Sequence, residues 1–153
     1  MTDMVLYESP HVIVCCGNVL RGDDGFGSFF FTTYRHKLPG LIIDAGSGAG
    51  PLLNLIASAE HKIEQLIIID AGDFRGIPGE IILLGKEDFL CQEGEAEPPS
   101  CFLEKEIPHL PMDVKVILVQ VHNTSFSYGL SQRVEASLSR VFSLVSSLME
   151  EKS

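Results

Sequence analysis

Apolar residues along this chain fall into two periodicities. Five short runs, His11 to Cys16, Leu41 to Ala45, Gln65 to Asp70, Glu80 to Leu84 and Val114 to Val121, have the length and near-continuous apolar character of buried strands. Between and after them, apolar positions recur at helical spacing. Phe29, Phe30 and Tyr34 predict a helix over Ser28 to Lys37, and Leu52, Leu55, Ile56 and Ala59 one over Pro51 to about His61. Val134, Leu138, Val141, Val145 and Leu148 make the stripe of a closing helix over Ser131 to Glu150. Strand, helix, strand, helix, strand with short connections predicts a parallel sheet covered by helices on both faces. The rhythm then breaks, because Asp73 to Gly79 is too short for a crossover helix. Glu80 to Leu84 is therefore expected to return antiparallel beside its predecessor, while the apolar continuity of Val114 to Val121 marks an interior strand. The expected architecture is α/β, a three-layer α/β/α sandwich on a mixed, mostly parallel five-stranded sheet.

Two stretches lie outside this pattern. Met1 to Pro10 reads as a loose lead-in, and Lys86 to Pro111 as a long irregular excursion with a short helical turn near Glu87 to Cys91. Neither repeats nor a second periodic block divide the 153 residues, so one domain over 1–153 is expected.

Composition narrows the class. With 45% hydrophobic and 21% charged residues the chain suits a soluble globular protein, and no apolar run approaches the about 18 residues of a spanning helix. The N-terminus has no basic region of a secretory signal, which makes a cytoplasmic address and no membrane the expectation. A formal charge of −10 argues against nucleic acid, which needs clustered Lys and Arg. Cys15, Cys16, Cys91 and Cys101 lack metal-knuckle spacing, and the adjacent pair, pointing to opposite faces of a strand, reads as buried reduced thiols.

Candidate chemistry concentrates where strands run out. His11 to Cys16 passes directly into Gly17-Asn18 and Gly22-Asp23-Asp24-Gly25-Phe26-Gly27, at the edge where open α/β sheets place their ligand crevice. Asp24 in that loop, Asp44 in the second strand and Asp70 ending the third stand out by position. If the first and third strands are neighbours, Asp24 and Asp70 project into one crevice and can share a cation, with His109 the one imidazole of the excursion. Plainer roles compete: Asp24 as a helix cap, Asp44 bonding loop amides, Asp70 in an Asx turn, His109 as an ordinary loop residue. His36 and His122 suit a helix C-terminus and a strand exit. The glycines at 46, 48 and 50 and at 22, 25 and 27 do not follow the G-x-G-x-x-G order, no Walker lysine follows either loop, and no serine stands in a G-x-S-x-G elbow.

The run Gly17-Asn18-Val19-Leu20-Arg21-Gly22-Asp23-Asp24-Gly25-Phe26-Gly27 closely resembles the opening motif of the nickel-iron hydrogenase maturation endopeptidases. The resemblance continues through Asp44-Ala45-Gly46, Ile68-Ile69-Asp70-Ala71, Pro78-Gly79-Glu80 and the helix start Gly129-Leu130-Ser131, nearly the whole chain. It implies an α/β/α aspartyl-type protease that trims the C-terminal tail of a hydrogenase large-subunit precursor after nickel insertion. Nickel is then supplied by the precursor and held by Asp24, Asp70 and His109, with Asp24 and Asp70 catalytic. The branch acting on archaeal coenzyme-reducing hydrogenases is one the resemblance allows. One departure is visible: Leu110-Pro111-Met112-Asp113 leads almost at once into Val114, where family members carry a helix that starts at the histidine, and Ser100 to Glu106 is left as its possible replacement. The rival readings are a non-catalytic maturation chaperone that binds the metal-loaded precursor and, more distantly, a nucleotide-binding domain built on the two glycine loops.

Overall fold

The computed structural model describes residues 10–58, 62–89 and 105–151. The lead-in before Pro10, the stretch 59–61, Cys91, Cys101 and most of the excursion lie outside the described residues.

All five expected strands form one sheet in the order β2-β1-β3-β5-β4. β1 (His11–Cys16), β2 (Leu41–Gly46), β3 (Gln65–Gly72) and β5 (Asp113–Gln120) run parallel, and β4 (Ile81–Gly85) runs against them. The alternation of side chains divides the core into two layers. On one face Val12, Val14, Cys16, Leu66, Ile68, Val116 and Leu118 meet Ala49, Leu53 and Ile56 of α2 (Ala49–Ser58), with Ile107, Leu110 and Met112 completing the cover. On the other, Ile13, Cys15, Ile67, Ile69, Ile117 and Val119 meet Phe26 and Phe30 of α1 (Phe26–Tyr34), Val134 of α3 (Gln132–Glu135), and Val141, Val145 and Leu148 of α4 (Leu138–Glu151). This is the expected three-layer sandwich.

Three details differ from expectation. β4 is antiparallel as expected, yet it pairs with β5, Ile81 opposite Val119 through Gly85 opposite Lys115, and β5 separates it from β3. The reason is burial. β5 is buried on both faces from Val116 to Gln120 and takes an interior place, whereas β4 leaves Leu83 43% exposed and takes the edge. Gln120 lets the connection cross the end of β5: its Oε1 accepts the Phe74 and Gly76 N–H groups, each at 2.9 Å, and its Nε2 donates to Asp73 Oδ1 at 3.1 Å. The closing helix is divided at 136–137, where the fully buried Ser137 donates to the Gly79 carbonyl at 2.6 Å and fastens it to the same connection. α1 begins two residues early, because a 3-10 turn over Gly22–Gly25 runs straight into it.

β1 and β3 are neighbours in register, His11 beside Gln65 through Cys15 beside Ile69. The chain leaves β1 for β2 on one side and returns to β3 on the other, which puts the switch point at their carboxyl ends.

Candidate active site

Two glycines shape the loop over that switch point. A Cβ on Gly17, at φ 140°, would lie 2.0 Å from the Asp24 carbonyl oxygen, and one on Gly27 would lie 2.2 Å from the Cys16 carbonyl oxygen. No side chain fits either position. The loop therefore folds back on the end of β1 and holds Asp23 and Asp24 above it, tied by Asn18 N–H to the Asp24 carbonyl at 3.0 Å.

The two aspartates divide in role. Asp23 is wholly buried and accepts from His122 N (2.8 Å), Asn123 N (2.9 Å), Ser131 N (2.7 Å) and Ser131 Oγ (2.8 Å). Burial pushes its carboxyl up, but those donors outweigh it and hold the group below the usual carboxylate range. Asp23 thus clamps the loop after β5 to the loop after β1. The reading of the sequence passed over this residue; its signal was only its place in the first motif.

Asp24 is half-buried and is not the N-cap of α1, a place that Gly25 takes. Burial raises its carboxyl, opposed by the Asn18 amide and the Arg21 charge. Asp70 is 4% exposed on β3, with Oδ1 accepting Ala71 N–H at 2.8 Å. The strand continues to Gly72, so Asp70 starts no turn. Its carboxyl is pushed up to about 7, first by burial, against the Ala71 bond, and further by the charge of Asp24. The structure therefore brings Asp24 and Asp70 into one electrostatic unit. Two hard oxygen donors, one held near neutrality chiefly by its burial, suit a cation delivered from outside.

His109 stands apart from them. It ends a 3-10 turn over Ile107–His109 and is exposed. That segment descends from the first turn of α2, where Glu106 Oε1 lies 3.8 Å from the Cβ position of Gly50, toward the start of β5, where Lys86 Nζ donates to the Leu110 carbonyl at 2.8 Å. Among the described residues no three His, Cys, Asp or Glu form a metal-holding group, so the structure assembles the aspartate pair without the imidazole. Glu106 Oε2 is buried without a hydrogen-bond partner among the described residues.

The remaining candidates take local roles. Asp44 Oδ1 accepts Ser28 Oγ at 2.8 Å and Gly46 N–H at 3.2 Å, a loop-fastening role. Cys15 and Cys16 are buried without a disulfide, and burial together with the Asp44 charge pushes the Cys15 thiol up, away from reactivity. The same two loops are tied further along, where Gly22 N–H donates to the Ser127 carbonyl (2.8 Å) and Ser127 N–H to that of Leu20 (3.0 Å). On those tied loops the apolar rim residues Leu20, Phe126 and Tyr128 are 52%, 84% and 74% exposed.

Comparison with known proteins identifies relatives of the chain and of its fold. The family model described as hydrogenase maturation protease matches residues 32–148. A putative hydrogenase maturation protease of Methanocaldococcus jannaschii is 43% identical over 74 residues, 46% of this chain and 46% of that protein, so the match spans under half the relative's length. The hydrogenase 3 maturation protease of Escherichia coli K12 is 24% identical over 133 residues, 86% of this chain and 85% of that protein. The crystal structure of a nickel-iron hydrogenase maturation protease HycI from Thermococcus kodakarensis superposes with a TM-score of 0.69 at 24% identity, covering 93% of this chain and 94% of that one, a likeness of fold.

Proposed function

This chain belongs to the hydrogenase maturation protease family, hydrolases acting on peptide bonds, and from that premise we propose that it removes the C-terminal tail of a nickel-loaded nickel-iron hydrogenase large-subunit precursor in the cytoplasm. The observation that carries the reading is the Asp24–Asp70 pair at the carboxyl edge of β1 and β3, where burial raises both carboxyls and the charge of Asp24 raises that of Asp70 further, a setting a cation would relieve.

In this proposal nickel arrives as part of the substrate, held by the precursor's own ligands. Asp24 and Asp70 take up open positions on it, which docks the precursor by its metal and polarises the neighbouring scissile carbonyl. The attacking water adds across the amide to give acid and amine, with Asp70 placed to take its proton. His109 joins as third ligand if the descending segment shifts once the precursor is bound. Leu20, Phe126 and Tyr128, carried on the same tied loops, supply apolar contact to the precursor's folded body.

The test is incubation with nickel-loaded and nickel-free precursor, reading the precursor's mass. Loss of a C-terminal tail from the loaded form alone is the expected result. Nickel-dependent complex formation with the mass unchanged would overturn cleavage in favour of a checking chaperone.

A further inference from the structure

Arg21 stands at the head of the 3-10 turn over Gly22–Gly25, and the turn decides what it faces. The Asp24 N–H donates to the Arg21 carbonyl at 3.1 Å, so the two residues lie one 3-10 turn apart, a spacing at which side chains stand over each other on one face. The backbone here is fixed from both sides. Arg21 N–H donates to the Asn18 carbonyl at 3.0 Å, and Leu20 and Gly22 are bonded to Ser127 of the loop after β5. The side chain is not fixed: it is exposed, and among the described residues its guanidinium makes no hydrogen bond and no ion pair, although its charge acts on Asp24. An anchored backbone thus carries a free cation beside one carboxylate of the aspartate pair.

Folding gives Arg21 little reason to be there, because an exposed cation beyond ion-pair contact adds little to stability. Coulomb's law gives it a reason at the site. Its effect on whatever approaches Asp24 scales with the net charge of the arriving group. A bare divalent cation is repelled twice as strongly as a single charge, whereas a metal ion already held by anionic donors of another protein has its charge offset and is admitted. Two carboxylates at a sheet edge need such discrimination, since hard oxygen donors attract free divalent cations whatever their source.

We propose that Arg21 is a charge filter over the aspartate pair, repelling free divalent cations and admitting nickel whose charge the precursor's own anionic donors have offset. The filter rests on the reading of Asp24 and Asp70 as ligands of substrate-borne nickel, and not on cleavage.

Binding of Ni2+ alone is the test. The unmodified full chain, Arg21→Gln and Arg21→Lys are titrated calorimetrically with Ni2+ in about 20 mM and about 300 mM salt. Arg21→Gln is expected to bind at least about fivefold more tightly than the unmodified chain at low salt, the ratio falling below about twofold at high salt. Arg21→Lys keeps the charge without the planar fork and is expected to stay within about twofold of the unmodified chain. Combining Arg21→Gln with Asp70→Asn is expected to abolish the gain. A merely structural Arg21 would lower the Tm of Arg21→Gln and leave its affinity for Ni2+ unchanged; the filter predicts a Tm within about 2 °C and the changed affinity. Equal affinities of Arg21→Gln and the unmodified chain, no binding by Arg21→Gln, the same gain in Arg21→Lys, or a gain that survives Asp70→Asn overturns the filter. In a second arm, free Ni2+ is added during tail removal from a matched nickel-loaded precursor. Half-inhibition of Arg21→Gln is expected at about fivefold less metal than for the unmodified enzyme, and equal sensitivity overturns the filter. If every form leaves the precursor uncut, the endopeptidase reading fails, and the Ni2+ titration alone decides the filter.

Discussion

Asp23, Asp24 and Asp70 show how environment sorts chemically equivalent side chains. Asp23 has four donors on its two oxygens and belongs to stability. Asp23→Asn turns an amide NH2 toward donors, with an expected cost of about 2–4 kcal/mol by urea unfolding at pH 7. Because its folded pKa lies below 3.8, its contribution is present above that value and is lost as pH falls through the folded pKa. Asp70 has the opposite sign. Its folded pKa of about 7 exceeds the ordinary 3.8, so between those values the unfolded chain releases a proton that the folded chain keeps. Stability attributable to Asp70 therefore declines as pH rises from about 4 to about 7 and is level beyond. Asp70→Asn is expected to remove that slope and to be roughly 2–4 kcal/mol more stable than the unmodified protein at pH 8, while losing tail removal. A variant with an unchanged slope would contradict the assigned environment. At this scale the sequence was partly legible: strand ends and a carboxylate-bearing loop pointed to Asp24 and Asp70. The role of Asp23 depends on contacts with residues about a hundred positions away, which no local pattern carries.

Among elements, the joint between β1 and α1 is the most constrained. Gly27→Ala would drive a Cβ into the Cys16 backbone, 2.2 Å from its oxygen and 2.6 Å from its nitrogen, and these atoms cannot yield without parting α1 from the sheet. A loss of at least about 3 kcal/mol, read from the Tm, is expected, whereas a neutral substitution would mean the joint is looser than described. Ser137→Ala probes the closing helix: losing its buried bond to the Gly79 carbonyl is expected to cost about 1–2 kcal/mol, softened because Arg140 Nη2 also donates there at 3.1 Å. Strand existence and direction were legible from apolar runs and connection lengths. The partner of β4 was not, because chain order favours β3 while burial on both faces reserves the interior place for β5. The division of the closing helix was hidden for a similar reason, since Ser137 is polar on a stripe that otherwise reads as unbroken.

Across the whole molecule, a two-layer core leaves one edge of the sheet for function, where the switch point, the aspartate pair and the apolar rim converge. Among the described residues no helix is long and apolar enough to cross a membrane. The rim makes a prediction that belongs to this scale: Phe126→Ser together with Tyr128→Ser is expected to raise KM for a folded precursor about tenfold with kcat little changed and the Tm within about 2 °C, because both side chains are exposed. An unchanged KM would remove the rim from recognition. The architecture followed from periodicity, and the site's location from the rule that open α/β sheets bind at their carboxyl edge. The placing of His109 was not legible in the same way, since it lies on a segment whose course depends on its packing against α2. The most direct test of the central claim is a mass time course of one nickel-loaded precursor with the unmodified protein, Asp24→Asn and Asp70→Asn, each confirmed folded. The account predicts tail removal by the unmodified protein and at least a roughly hundredfold slower rate for each variant; cleavage by both variants at the unmodified rate would contradict it.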